Sequence, residues 1–260
     1  MSAKGRTPSE QRNPMTNNLY QHILSCKKKG RKLFAVLVDP DKFNPDVILE
    51  SNKAKVDFIF IGGSRLKKEK FHRCVSSVKK LTNIPLIIFP GSREQLSEKA
   101  DAILLLSLIS GRNSDYLIGE HIRAAQQLKR SKLEIIPTGY LLIGGGKKIS
   151  TQLATKTSPI KNSEIKLAVS TAIAGELLGM KMIYLEAGSG AKQPLNGSLV
   201  KAVRNNISSA LLTGGGIDSP EKAIALCSAG ADLIVVGNAI EKNIILVSKI
   251  ARAIHAYQVI

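Results

Sequence analysis

A single, modified (β/α)8 TIM barrel with an extra N-terminal helix is the α/β fold class that this sequence predicts. Three observations predict it. Eight short apolar runs alternate with eight helix-like stretches, the runs are continuously apolar, and the 260 residues match the roughly 250 that such a barrel needs. Continuous runs suit parallel strands covered on both faces, whereas a half-exposed strand would alternate.

The elements follow in order. Residues 17–28 read as a helix suited to close the barrel bottom. The strands read as 33–38 (LFAVLV), 57–61 (DFIFI), 85–89 (PLIIF), 101–106 (DAILLL), 134–139 (EIIPTG), 181–186 (KMIYLE), 210–213 (ALLT) and 232–237 (DLIVVG). Helices are expected at 45–55, 67–81, 93–99, 115–129, 163–178, 195–205, 220–229 and 239–256. Asn44-Pro45 and Ser219-Pro220-Glu221 are start signals, with proline at the first helical position. The stretch 141–162 has no clear period and follows the fifth strand on the expected active face, so it reads as a lid. Residues 1–16 read as a disordered tail, which leaves 17–260 as one domain. The alternative fold is a doubly wound open sheet, because a strand count from sequence can err by one or two.

Composition bounds the function. The 38 Lys+Arg against 20 Asp+Glu give a formal charge of +18, which favours anionic partners. Residues 1–32 hold eight basic residues and one acid, Glu10, whereas residues 184–240 hold four of each sign. Eleven aromatics and no recognisable module argue against a nucleic-acid partner, leaving the run Lys27 to Lys32 as a solvated basic face or a peripheral membrane-surface contact. Three scattered cysteines give neither a disulfide framework nor a zinc site, and the expected compartment is a reducing cytoplasm. No targeting segment and no long apolar span are seen, and mean hydropathy is +0.02.

In a barrel, chemistry sits at the C-terminal strand ends. After strands six, seven and eight stand Glu186-Ala187-Gly188-Ser189-Gly190, Gly214-Gly215-Gly216 and Gly237-Asn238. Glycine lets backbone N–H groups approach an anion, and three such clusters in phase read as a phosphate site, against the plainer role of permitting tight turns. After strand one, Asp39 precedes a proline, and Gly62-Gly63-Ser64 follows strand two. A carboxylate and a hydroxyl on adjacent strand ends suit Mg2+, although Asp39 equally suits capping a turn or pairing with a lysine. Glu186, beside the phosphate loop, suits a general base or a structural partner of an amide. The four histidines (His22, His72, His121, His255) cluster at no strand end, which argues against a zinc site or a triad.

Six motifs in order, FAVLVDPDK (34–42), DFIFIGGS (57–64), EIIPTGYLLI (134–143), YLEAGSGA (184–191), LTGGGI (212–217) and IVVGNAIE (234–241), resemble the geranylgeranylglyceryl phosphate synthase family. The likeness is greater to its larger archaeal and bacterial branch. That resemblance implies a Mg2+-dependent prenyltransferase joining the C3 hydroxyl of sn-glycerol 1-phosphate to C1 of a long-chain prenyl diphosphate, with release of diphosphate. It implies metal positions at Asp39 and Ser64 and a base at Glu186. It places glycerol phosphate at Tyr184, Leu185, Glu186, Ala187, Gly188, Ser189, Gly190, Gly215, Gly216, Gly237 and Asn238, and it implies a homo-oligomer. Leu37 and Ala187 stand where the other branch carries Lys and Tyr. The alternatives are another phosphate-binding barrel enzyme, a sugar-phosphate isomerase or aldolase, and a non-enzymatic binder of anionic polymers. Lys181, the best Schiff-base candidate, begins its strand and does not end it.

Overall fold

The computed structural model describes residues 18–63, 68–144, 155–188, 190–191 and 194–257, so the expected tail at 1–16 lies outside the described residues. Eight parallel strands close into a barrel in chain order: β1 Leu33–Val38, β2 Phe58–Ile61, β3 Leu86–Ile88, β4 Ala102–Ser107, β5 Glu134–Leu142, β6 Met182–Glu186, β7 Ala210–Gly214 and β8 Leu233–Val236. Pairing of β1 with β8, Leu33 opposite Leu233, closes the ring and excludes the open-sheet alternative.

Strand alternation explains the continuous apolar runs. Leu33 and Ala35 of β1 face the barrel interior with Phe58, Phe60, Leu104, Tyr184 and Leu212. Phe34, Val36 and Val38 face the helical layer with Ile59, Ile61, Ile183 and Ile234. Both faces are buried, so no polar face remains to mark a period of two.

The helices are α1 Leu19–Lys28, α2 Pro45–Lys53, α3 Lys68–Leu81, α4 Glu120–Arg130, α5 Ile165–Leu177, α6 Gly197–Arg204, α7 Pro220–Ser228, α8 Asn238–Lys242 and α9 Leu246–Ala256. Both start signals act as expected: Asn44 accepts from the Asp46 N–H, and Ser219 from the Lys222 N–H. The single helix expected at 239–256 is α8 and α9, separated where the Asn243 side chain accepts from the Ile245 N–H at 3.2 Å. Five residues of π-helix, Asp115–Gly119, lead into α4.

Helix α1 plugs the barrel bottom, since its Leu19, Ile23 and Cys26 join the interior cluster. Its first amides, those of Leu19 and Tyr20, donate to the Glu134 carboxylate at 2.5 and 3.0 Å. Glu134 thus supplies the N-terminal cap that Asn18 does not. Glu134→Ala is expected to cost about 1 kcal/mol, the usual worth of a cap, in urea-induced unfolding. The basic run is partly spent on this fastening. The Lys27 ammonium donates to the carbonyls of Ser208 and Ser209, Arg31 pairs with Asp57 at 2.6 Å, and Lys32 is buried. Only part of the run is therefore a solvated face. Among the described residues no helix is long and apolar enough to cross a membrane.

One expected helix is absent. Residues 93–99 form turns, not a helix. Gln95, buried to 1 % exposure, accepts from the N–H groups of Gly63 and Gly91 and donates to the Gly63 carbonyl at 2.6 Å. That side chain ties the end of β2 to the β3 loop and satisfies backbone groups of Gly63 and Gly91. An added Cβ at Gly62 would overlap the Phe89 carbonyl oxygen, so these two strand ends pack backbone to backbone. The described ends of the stretch 141–162 are regular. β5 runs to Leu142, and Ile143 bridges to Ile160. The middle of the lid expected at 141–162, residues 145–154, lies outside the described residues.

Candidate active site

A cavity of about 830 Å3 opens among the loops that follow the strands. Of the residues singled out in the sequence, Asp39, Tyr184, Glu186, Gly190, Gly215, Gly216, Gly237 and Asn238 line it. Strand closure does what spacing alone could not, bringing the end of β1 beside the ends of β6, β7 and β8. Leu185 does not face the cavity: alternation turns it into the helical layer, where it is fully buried. Ala187 packs against the same layer. Gly188 contributes its amide to Glu186 and not its face to the cavity wall. Ser64 and Ser189 lie outside the described residues.

Glu186 is the most perturbed acid on the wall. Burial raises its pKa to about 7, against the smaller lowering by the Gly188 amide, which donates to Oε1 at 2.7 Å, and by the Tyr184 hydroxyl. The Tyr184 hydroxyl is itself buried, makes no hydrogen bond of regular geometry, and is pushed well above its ordinary pKa by burial and by Glu186. The glycine after β7 makes room for this pair. A Cβ on Gly215, whose φ is +84°, would stand 2.6 Å from Glu186 Oε1 and 2.8 Å from the Gly188 nitrogen. Gly215→Ala is expected to lower kcat/KM on the order of 10²-fold, because an ångström of displacement at the reacting groups costs that much. Steady-state kinetics alongside a melting curve separates this from unfolding.

Five carboxylates line the cavity among the described residues: Asp39, Glu120, Glu186, Asp218 and Glu241. Glu120 pairs with Arg123, Asp218 with Lys222 and Glu241 with Lys42. Asp39 and Glu186 have no ion pair among the described residues. Asp39 does cap the turn that follows, accepting from the Asp41 N–H at 2.9 Å, but one carboxylate oxygen suffices for that. The capping role and the ligand role are compatible. No group of three or more His, Cys, Asp or Glu suited to a metal exists among the described residues. One carboxylate fits Mg2+, which keeps much of its shell as water and substrate phosphate, and does not fit zinc.

The turns at 93–99 adjoin the cavity. Leu96 from the turns after β3, Ile103 and Leu105 from the outer face of β4, and Ala124 and Leu128 from α4 form an apolar arm. No motif announced this groove, since its lining comes from three separate segments, the turns after β3, β4 and α4. His121 was also missed: it sits on α4, as its spacing says, yet it lines the cavity and approaches the Leu106 carbonyl at 2.8 Å. Lys181 is placed at the opposite end, its ammonium 5.2 Å from the centre of the Tyr20 ring on the α1 plug.

Residues 26–257 match the model of the PcrB family. The chain belongs to the PcrB family. This PcrB-family chain is 47 % identical over 246 residues to a geranylgeranylglyceryl phosphate synthase of Chitinophaga pinensis, covering 93 % of the chain and 98 % of that relative. It is 41 % identical over 221 residues to the synthase of the same name from Thermococcus kodakarensis, covering 83 % of the chain and 87 % of the relative. A crystal structure of (S)-3-O-geranylgeranylglyceryl phosphate synthase from Thermoplasma acidophilum, in complex with its substrate sn-glycerol-1-phosphate, superposes with a TM-score of 0.87 at 32 % identity. It covers 92 % of this chain and 99 % of that one. The resemblance carried by the six motifs and the barrel they implied both hold.

Proposed function

We propose that this PcrB-family protein is a prenyltransferase that joins the C3 hydroxyl of sn-glycerol 1-phosphate to C1 of a long-chain prenyl diphosphate. One observation carries the reading: a single cavity unites a glycine-lined end, an apolar arm, and two carboxylates without ion pairs, Asp39 and Glu186. An anionic acceptor and an isoprenoid tail require those two kinds of surface side by side. The relatives' names and the glycerol-phosphate complex of a structural neighbour support the same substrates.

The chain's own residues then divide the work. Backbone amides of the loops after β6, β7 and β8 hold the acceptor phosphate and aim its free hydroxyl. Glu186 accepts the hydroxyl proton as the C3 oxygen forms its bond to C1 and the bond from C1 to diphosphate breaks. With a pKa near 7 it is about half ionised at neutral pH and basic enough to take that proton. The apolar arm holds the tail and excludes water from C1. Asp39, with Ser64 as the expected second position, would hold Mg2+, which supplies positive charge to the departing diphosphate.

The aldolase alternative loses its Schiff-base candidate, because Lys181 stands at the barrel bottom. A polymer binder loses part of the basic run at 27–32 to the fastening of α1. The decisive assay supplies labelled sn-glycerol 1-phosphate and prenyl diphosphates of graded length, with and without Mg2+. Ether product that requires the metal is expected, and its absence at every chain length overturns the reading.

A further inference from the structure

The segment Asp39-Pro40-Asp41-Lys42 closes one 3₁₀ turn, with the Lys42 N–H donating to the Asp39 carbonyl at 2.9 Å. Such a turn brings positions three apart onto one side. Asp39 and Lys42 both line the cavity, whereas Asp41 is held away by Lys70 of α3 at 2.6 Å. The Lys42 ammonium is in turn fixed by Glu241 of α8 at 2.8 Å, across the seam where β1 meets β8. An ammonium carries three donors, and Glu241 takes one.

This arrangement answers a charge problem. The cavity wall holds five carboxylates among its described residues but only three formal cations, Lys42, Arg93 and Lys242. A diphosphate that arrives there with a single divalent ion still carries net negative charge, and more develops on its ester oxygen as the bond from that oxygen to C1 breaks. Lys42 is the cation built into the same turn as Asp39, and a compact ammonium suits a point contact to a diphosphate oxygen. We propose that Lys42 binds the diphosphate of the prenyl donor beside the ion held by Asp39, and that Glu241 is the positioning residue that keeps the ammonium at the cavity rim. The assignment rests on the prenyltransferase reading and adds to it the group that recognises the leaving half of the donor.

Inorganic diphosphate in Mg2+ buffer is the probe, with binding followed by calorimetry on the full-length protein. Lys42→Gln is expected to weaken it about tenfold or more, the worth of one charge-assisted hydrogen bond, while Lys42→Arg stays within about threefold. Affinity for sn-glycerol 1-phosphate is expected to be unchanged in both variants. Glu241→Ala is expected to raise KM for the prenyl donor and leave KM for the acceptor alone. Undiminished diphosphate affinity in Lys42→Gln, or equal loss for both ligands, overturns the Lys42 assignment. Unchanged donor KM in Glu241→Ala overturns the positioning role. Wild-type protein that makes no ether at all sinks the enclosing function as well, so the two failures are distinguishable.

Discussion

Glu186→Gln is expected to lower turnover by about 10²–10⁴-fold, the usual worth of a positioned general base, and to make the fold more resistant to unfolding above neutral pH. Both effects come from one cause. Burial raises this carboxyl to about 7, from an ordinary value of 4.5. Between those two values the native state keeps a proton that the unfolded chain has already released, so stability falls as pH rises. The contribution is fully present below about 4.5 and is lost as pH passes through about 7. At its limit the penalty is about 3 kcal/mol, since each tenfold change in proton affinity is worth about 1.4 kcal/mol. Glutamine fits the same space, can accept from the Gly188 amide, and does not ionise. The gap in melting temperature between variant and wild type should therefore open between pH 5 and pH 8. Wild-type kcat/KM should rise with pH through the neighbourhood of 7. A gap that stays constant with pH would show that the buried carboxylate costs the fold nothing.

Asp39→Asn separates the two jobs of Asp39. The amide oxygen can still accept from the Asp41 N–H, so the 3₁₀ turn and its capping geometry survive and the melting temperature changes little. The negative charge is gone, and with it the affinity for a hard cation. Loss of metal-dependent turnover on the order of 10²–10³-fold is expected, in line with removing one electrostatic stabiliser of a transition state. Titrating Mg2+ against activity makes the test sharp. Wild-type activity at ordinary Mg2+ levels would refute the ligand role and leave Asp39 as a cap.

The parts of the site legible in the sequence are those that depend on strand ends. Asp39, Glu186 and the glycines at 215, 216 and 237 each follow an apolar run directly, so placing the strands places them. Leu185 shows the limit of carrying over a whole motif: the backbone belongs to the loop, but alternation sends its side chain to the other layer. Residues that reach the cavity from elsewhere gave no such signal. His121 comes from a helix face, and Lys42 and Glu241 become partners only because β1 and β8 are neighbours in a closed ring.

By itself the sequence determined the eight strands, their parallel burial, the plug helix and the chemistry available at the strand ends, because those are local matters of apolar runs, caps and glycines. Only the tertiary structure shows that 93–99 are turns and not helix, with the Gln95 side chain bonded to Gly63, which is distant in sequence. It also decided that Glu186 would be protonated up to about neutral pH, because desolvation is set by everything packed around a carboxyl and not by its sequence neighbours.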